Sequence, residues 1–209
     1  MNPAPVSLED QAERYYQRSE ARFRSRLRNR RDERMIARAL QVLPQGSAVL
    51  DLACGTGRFS NVLLQMGYHL FSLDRSWDMV HFIKRRFNEG SPHARRVVYG
   101  DASRLPYTEK SLDGIVSFRF LFHHLEDGLF EATLKEAMRV CRRHILFDVR
   151  LTRPILDFIL DLVGRKTKDS WPLNEMIRRT ENLGLTVERT VYINRYLSRK
   201  AVLVCRVSR

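Results

Sequence analysis

Three aspartates and two glycines have the types and spacing of a ligand site. Asp51, Asp74 and Asp101 each stand at or just after the end of an apolar run, and Gly55 and Gly57 closely follow the first of them. Glycine lets a backbone approach a ligand without Cβ collisions. A helix that begins behind such a turn presents free N–H groups, which suit a carboxylate. The stretch therefore predicts a ligand site with room for an anionic group at the glycine turn.

Alternating strand and helix patterns would bring these aspartates to one edge of a sheet. The predicted strands are Ser47–Ala53, His69–Asp74, Arg95–Tyr99, Leu112–Phe120 and His144–Val149. Helical apolar patterns between them predict right-handed βαβ units and a parallel sheet covered on both faces. Singly, each aspartate could be a turn or helix cap. Capping does not explain why all three fall at the carboxyl edge, where open α/β sheets bind ligands.

The last part of the chain follows a different pattern. A helix is predicted over Leu173–Leu183, closed by Gly184, and strands over Thr186–Ile193 and Ala201–Val207. The link between those two strands, Asn194–Lys200, is too short for a helical crossover. We therefore expect the last two strands to be antiparallel.

The glycine turn distinguishes between two cofactor classes. A dinucleotide site requires a third glycine three residues after the second, and that position is Ser60. The stretch Val49–Phe59 instead resembles the first motif of class I S-adenosylmethionine-dependent methyltransferases, an acidic residue followed by small-residue positions. Ala53 replaces a common glycine of that motif. The likeness is to the type 11 branch, which includes quinone- and biotin-pathway enzymes, and it extends over about residues 47–150.

The resemblance implies a fold and a cofactor. The fold is an α/β, Rossmann-like, seven-stranded and mostly parallel sheet of order 3-2-1-4-5-7-6, with helices on both faces and a C-terminal antiparallel hairpin. The cofactor is S-adenosylmethionine, with Gly55 and Gly57 at its methionine portion, Asp74 at the ribose and Asp101 at the adenine. The residues expected to bind the cofactor are Asp51, Ala53, Cys54, Gly55, Gly57, Asp74, Arg75, Asp101, Ala102, Ser117 and Phe118.

The segment after the fourth predicted strand would border the transferring methyl group. His123 and His124 are candidate catalytic residues, since a histidine pKa suits proton transfer at neutral pH, although we favour a positioning role for both. No third ligand is spaced nearby, so no metal is expected. Arg119, between two phenylalanines, is expected on the strand face opposite both rings.

Arg119 is also a candidate substrate-binding residue. A buried arginine needs an anionic partner. An acidic group on the acceptor or the carboxylate of the cofactor could fill that need. A salt bridge to Asp113 or Glu126 is an alternative of equal weight.

The N-terminal region differs from the rest of the chain. Residues 1–45 read as a basic helical segment and residues 46–209 as the methyltransferase domain, with Pro44 at the boundary. Ten arginines lie between Glu13 and Arg38, and the formal net charge of the chain is +13. We expect this segment to cap the cofactor cleft, with Tyr15 and Tyr16 in contact with the substrate. Its charge would also attract RNA or an anionic membrane surface, or the arginines form only a solvated helix face.

The function expected from these patterns is methyl transfer by in-line displacement to a small or amphiphilic, lipid-like or anionic metabolite. An RNA (tRNA) methyltransferase that uses the basic segment is an alternative, and a non-catalytic cofactor-binding partner subunit is another. Three widely separated cysteines fit neither a disulfide framework nor a metal cluster, and indicate a reducing cytoplasm. Neither a signal peptide nor a transmembrane run is recognisable.

Overall fold

A computed structural model describes residues 12–14, 16–17, 23–153, 157, 162, 170–194 and 198–208, with the backbone alone for 23–29. The helices are α1 (Phe23–Leu40), α2 (Ser60–Gln65), α3 (Trp77–Arg86), α4 (Leu129–Val140) and α5 (Leu173–Asn182). The strands are β1 (Ala48–Leu52), β2 (His69–Asp74), β3 (Val97–Tyr99), β4 (Leu112–Ser117), β5 (Cys141–Arg150), β6 (Leu185–Tyr192) and β7 (Lys200–Val207). Among these residues, no helix is long and apolar enough to cross a membrane.

The strands form one seven-stranded sheet of order β3-β2-β1-β4-β5-β7-β6. The first five pair in parallel, whereas β7 pairs antiparallel with both β5 and β6. Both the strand order and the antiparallel ending predicted above are confirmed. The parallel arrangement brings the carboxyl ends of β1, β2, β3 and β4 to one edge.

Two of three apolar clusters cover the two faces of the central strands. On one face, α1 and α2 pack against alternate residues of the central strands, such as Val116 and Leu146. On the other face, α4 and α5 pack against their neighbours, such as Ile115 and Phe147. This alternation is the strand periodicity expected of a sheet that is buried on both sides.

Helix α1 shares the core of the sheet. Met35, Ile36, Ala39 and Leu40 are buried against it, because they recur at the spacing of one helix face. The opposite face carries exposed arginines, Arg30, Arg31, Arg34 and Arg38. The described part of residues 1–45 is therefore anchored on the sheet by one face and basic on the other.

Two predicted strands extend two or more residues too far at one end, and the fifth, predicted to begin at His144, begins at Cys141. The third strand begins at Val97 and not at Arg95, because Ala94–Arg96 form a turn of 3-10 helix. The fourth ends at Ser117 and not at Phe120, because Arg119 has a left-handed backbone with φ +64°. The strand patterns could not reveal either change of backbone.

Candidate functional site

The glycine turn after β1 is tied to the next strand by a carboxylate. The chain turns through three left-handed residues, Ala53, Gly55 and Gly57, with φ of 58°, 55° and 65°. The backbone N–H of Gly55 donates to Asp74 Oδ2 at 2.7 Å, and that of Ser76 donates to Asp74 Oδ1 at 2.9 Å. Asp74 thus joins the turn to the start of α3.

The two glycines of the turn meet different surroundings. A Cβ on Gly55 would have no heavy atom within 4 Å. A Cβ on Gly57 would lie 3.1–3.3 Å from Ser60, Ile83 and Phe87. Gly55 therefore leaves open space in front of the turn, whereas Gly57 allows α2 and α3 to pack closely behind it.

Two adjoining cavities lie at the carboxyl edge of the sheet. The β3-side cavity has a volume of about 350 Å³ and is lined in part by Arg75, Asp101, Ala102 and His124. The glycine-turn cavity has a volume of about 290 Å³ and is lined in part by Asp51, Cys54, Gly55 and Phe118. The two cavities share their lining at Ala53, Asp74 and Arg119. Together they form one cleft whose centre is Asp74.

Burial and hydrogen bonds tune the carboxylates of this cleft in opposite directions. Asp51 is buried and accepts from the hydroxyl of Ser60 at 3.2 Å. Desolvation raises its pKa to about 7, although the Ser60 hydrogen bond opposes the rise, and the charge of Asp74 adds to it. Asp101 accepts from both the backbone N–H and the hydroxyl of Ser103, at 2.8 and 2.7 Å, and its pKa is lowered.

Two aromatic rings stack beside the β3-side cavity. Trp77 and Tyr99 lie parallel, with ring centroids 4.4 Å apart and 5° between the planes. They are 56% and 44% exposed. Arg75, two residues before Trp77, and Gly100, directly after Tyr99, line the cavity. The stack thus stands at the rim of the cleft.

The wall after β4 is formed by Arg119 and a buried charge cluster. The backbone N–H of Arg119 donates to Asp148 Oδ1 at 2.7 Å, and its guanidinium donates to Asp32 Oδ2 at 2.6 Å. Lys200 Nζ lies 3.0 Å from Asp32 and 3.4 Å from Asp148. Desolvation raises the pKa of Asp148, while the charge of Lys200 opposes the rise. Two acids and two bases from four separate segments thus neutralise one another.

Two expectations about Arg119 are wrong. Its ion pair is with Asp32, whereas Asp113 pairs with Arg142 at 3.2 Å. The neighbouring rings lie on different faces of the sheet, Phe118 in the α1 core and Phe120 against the α4 core. The left-handed backbone at Arg119 breaks the strand alternation on which the expectation depended.

The two histidines face different surroundings. His124 lines the β3-side cavity, and its Nδ1 lies 2.6 Å from Asp127 Oδ2. His123 packs on the ring of Phe122 and lines a separate cavity of about 460 Å³ that includes Trp171. A catalytic role for either stays a prediction, and only His124 lies on the cleft.

Three other expected site residues do not line the two cavities, and a fourth cannot be placed. Tyr15 lies outside the described residues. Tyr16 packs against Phe82 and under the guanidinium of Arg86, with centroid distances of 5.4 and 4.6 Å. Arg86 in turn donates to the carbonyls of Thr56 and Gly57 at 2.8 and 3.2 Å. Tyr16 therefore supports the glycine turn from behind.

The remaining two of these residues are Gly57 and Ser117. Gly57 serves packing, as described above. Ser117 is buried, and its hydroxyl has no hydrogen-bond partner among the described residues. Their cofactor-binding roles stay predictions.

Sequence reasoning missed Asp32, Asp148 and Lys200. Asp32 carried a signal, because it precedes Met35 and Ile36 by three and four residues and so falls on the apolar face of its helix. An acid at such a position is buried and needs a partner. Nothing in the sequence named that partner, which lies 87 positions away.

A larger cavity is remote from this cleft. It has a volume of about 680 Å³ and is lined in part by Arg142, Arg143 and Arg206, at the opposite edge of the sheet. Arg142 and Arg143 pair with Asp113, and Arg206 pairs with Glu188. We place the candidate site at the smaller cleft, because the aspartates and the glycine turn converge there.

Comparison with known proteins identifies the domain that carries this cleft. A family model described as a methyltransferase domain matches residues 49–144. A demethylmenaquinone methyltransferase of Thermobifida fusca is 32% identical over 97 residues, which are 46% of this chain and 40% of that protein. A tRNA (carboxymethyluridine(34)-5-O)-methyltransferase of Arabidopsis thaliana is 27% identical over 107 residues, 51% of this chain and 24% of that protein. The chain thus matches less than half the length of these relatives.

A solved structure matches more of the chain. Magnesium protoporphyrin IX methyltransferase from Synechocystis, crystallised with bound S-adenosylhomocysteine, superposes with a TM-score of 0.73 at 16% identity. The match covers 95% of this chain and 94% of that one. At this identity the likeness establishes the fold alone. Fold, motif and family match agree: residues 49–144 match a methyltransferase domain, and the chain is similar to class I, S-adenosylmethionine-dependent methyltransferases.

Proposed function

We propose that the chain transfers a methyl group from S-adenosylmethionine to a small or amphiphilic acceptor. The observation that carries this proposal is the cleft itself, in which two cavities meet at Asp74 on the carboxyl edge of β1 to β4. The cofactor combines an amino-acid portion, a ribose and an adenine. The two cavities and their shared carboxylate offer one surface for each part.

The residues of the cleft fit that ligand in their chemistry. Gly55 leaves open space beside the turn for the amino-acid portion. Asp74 is a half-buried carboxylate that can accept from ribose hydroxyls. Asp101 and Ala102 line the β3-side cavity, where Asp101 can accept from the adenine amine. When bound, the cofactor supplies a methyl group on an activated sulfonium.

The protein then has to align the acceptor and exclude water. Phe118, Phe120 and Arg119 line the cleft and provide an apolar border with one cation. His124 is held by Asp127, so it can orient an acceptor hydroxyl or take its proton. We favour orientation, because Asp127 fixes the ring whether or not a proton moves.

The apolar residues on the cleft favour an acceptor with apolar character. Phe120 and Leu129 line the β3-side cavity together with His124. The match to a demethylmenaquinone methyltransferase supports an amphiphilic, quinone-like acceptor for this chain as well. A cytoplasmic location is part of the proposal, supported by three cysteines that are all buried and unpaired.

Calorimetry with S-adenosylhomocysteine and with NAD tests the cofactor. We expect the former to bind with a Kd in the micromolar range, roughly −8 kcal/mol, and NAD to show no heat. Incubation with S-adenosylmethionine and a panel of short-chain quinols, porphyrin acids and phenols, followed by mass spectrometry, then tests the acceptor. Binding of NAD without binding of S-adenosylhomocysteine would refute the proposal.

A second candidate function is methylation of RNA. Arg30, Arg34 and Arg38 are exposed at intervals of four residues on α1, a rise of about 6 Å each. Such a row suits a phosphate backbone, and one matched relative is a tRNA methyltransferase. Binding of unmodified tRNA that weakens steeply with added salt would favour this function. Salt-independent turnover of a quinol would exclude it as the main activity.

A further inference from the structure

The charge cluster behind the cleft is more elaborate than its structural position requires. Asp32 and Asp148 are each 1% exposed, and each contacts both Arg119 and Lys200. Buried charges are costly unless paired, and apolar residues of similar volume often serve a core equally well. A cluster of four charges at the wall of a ligand cleft therefore suggests a use beyond stability.

The backbone conformation of Arg119 also suggests a role of this cluster beyond stability. Its φ of +64° is a conformation that glycine adopts freely and that other residues adopt at a cost. Asp148 holds this conformation through the backbone N–H. Such strained positions persist when the surroundings fix them, and they concentrate at binding sites. Because glycine would adopt this conformation at lower cost, the presence of arginine indicates that its side chain has a use here.

The guanidinium of Arg119 has hydrogen-bonding capacity to spare. Its Nη2 donates to Asp32, whereas its Nε is buried and has no hydrogen-bond partner among the described residues. Arg119 lines both cavities of the cleft, including the one beside Gly55. Because the side chain of Arg119 is 24% exposed and lines the cleft, an acceptor that arrives with a ligand can reach its guanidinium.

We propose that Asp32 is a positioning residue of the cofactor cleft, which holds the guanidinium of Arg119 so that it binds the carboxylate of the cofactor. This inference rests on the proposed function. It makes α1, the arginine-rich helix, part of the cofactor site through a single carboxylate. The anionic partner of Arg119 is then the cofactor and not the acceptor.

A pair of ligands separates this role from a structural one. S-adenosylhomocysteine carries the amino-acid carboxylate, whereas 5′-methylthioadenosine has the same nucleoside and lacks it. Calorimetry would compare both ligands on the wild-type chain, Asp32→Asn, Arg119→Gln and the double variant. We expect each single variant to lower the affinity for S-adenosylhomocysteine about tenfold and to change the affinity for 5′-methylthioadenosine by less than about twofold. In the double variant the affinity for S-adenosylhomocysteine should fall about tenfold and not a hundredfold, because Asp32 acts through Arg119.

A control variant distinguishes positioning from general damage. Glu188→Gln breaks the ion pair with Arg206 at the opposite edge of the sheet and should change neither affinity. If Asp32→Asn does not fold, Arg119→Lys should give the same tenfold, ligand-selective loss.

Three results would overturn the inference. Equal weakening of both ligands would make Asp32 a structural residue, and additive losses in the double variant would mean that it does not act through Arg119. Unchanged affinity for S-adenosylhomocysteine in Asp32→Asn would remove the role and leave the proposed function intact. Failure of the wild-type chain to bind S-adenosylhomocysteine would instead refute the proposed function, and this inference with it.

Discussion

The two walls of the cleft are built over very different distances in the chain. The glycine-turn wall joins Asp51, Gly55 and Asp74, all within residues 51–76, and its contacts are mostly backbone N–H groups on carboxylates. The opposite wall joins Asp32, Arg119, Asp148 and Lys200 through side chains from four segments. The first is a local device that one short motif encodes. The second exists only once α1, β5 and β7 have assembled, so it can report on the state of the whole fold.

The largest expected effect concerns the buried acid of the glycine-turn wall. The folded pKa of Asp51 is about 7, above its usual value of 3.8. The folded state therefore keeps a proton that the unfolded state loses, so stability falls as pH rises between about 4 and 7. Asp51→Asn should remove this loss, up to about 4 kcal/mol. Urea unfolding at several pH values would measure it. A stability difference from wild type that is constant with pH would contradict the assignment.

The glycines of the turn provide the next test. Gly57→Ala should destabilise the fold by about 3 kcal/mol, because a strained backbone is combined with contacts to Ile83 and Phe87. Gly55→Ala meets only the backbone strain, about 1 kcal/mol, but places a methyl group in the cleft and should weaken cofactor binding more than Gly57→Ala does. Urea unfolding and calorimetry would separate the two. Reversed effects would exchange the packing and binding assignments.

Asp74 is expected to dominate the affinity for the cofactor. Asp74→Ala removes a charged acceptor at the meeting point of the cavities, which should cost about 1.5–3 kcal/mol of binding to S-adenosylhomocysteine. The same change frees the N–H groups of Gly55 and Ser76, so Tm should also fall. Asp78→Ala, in the first turn of α3, is the matched control. If the two variants bind S-adenosylhomocysteine equally well, Asp74 serves only as a helix cap, and the two walls do not differ in their contribution to cofactor binding.

The smallest effect contrasts Ala53 and Arg119, the two of the four left-handed residues other than glycine that line the cleft. Ala53 and Arg119 both have left-handed backbones. Ala53→Gly should change stability by less than about 0.5 kcal/mol, because relief of strain is offset by the freedom gained in the unfolded chain. Arg119→Gly relieves similar strain but leaves Asp32 without its guanidinium, so it should destabilise clearly. Similar Tm values for the two variants would show that the Arg119 side chain carries no energetic weight.

The sequence predicted what local patterns encode. The five parallel strands and the antiparallel hairpin follow from periodicity and link length, and the structure has both. The strand order followed from the family resemblance. The ends of β3 and β4 were missed because a 3-10 turn and one left-handed residue leave no trace in hydrophobic alternation.

The residues of the site also fall into those that local patterns predict and those that only tertiary contacts bring together. Asp74 and Asp101 could be placed on one edge because parallel strands end together. The partner of Arg119 could not be predicted, because Asp32 comes close to Arg119 only when α1 packs on the sheet. Burial of Asp32 was readable from its place on an apolar helix face, whereas the identity of its partner depends on tertiary structure.

The exposed stack of Trp77 and Tyr99 at the rim of the cleft gives the molecule an optical reporter. Trp77 is one of two tryptophans in the chain, and the other, Trp171, lines the separate cavity beside His123. Replacing Trp171 by phenylalanine would leave a single indole whose emission comes from the edge of the cofactor cleft. Because Trp77 is more than half exposed, a ligand that covers it shields the ring from a dissolved quencher such as iodide. Occupancy of the cleft can thus be followed by fluorescence in real time, before any methyl acceptor has been identified.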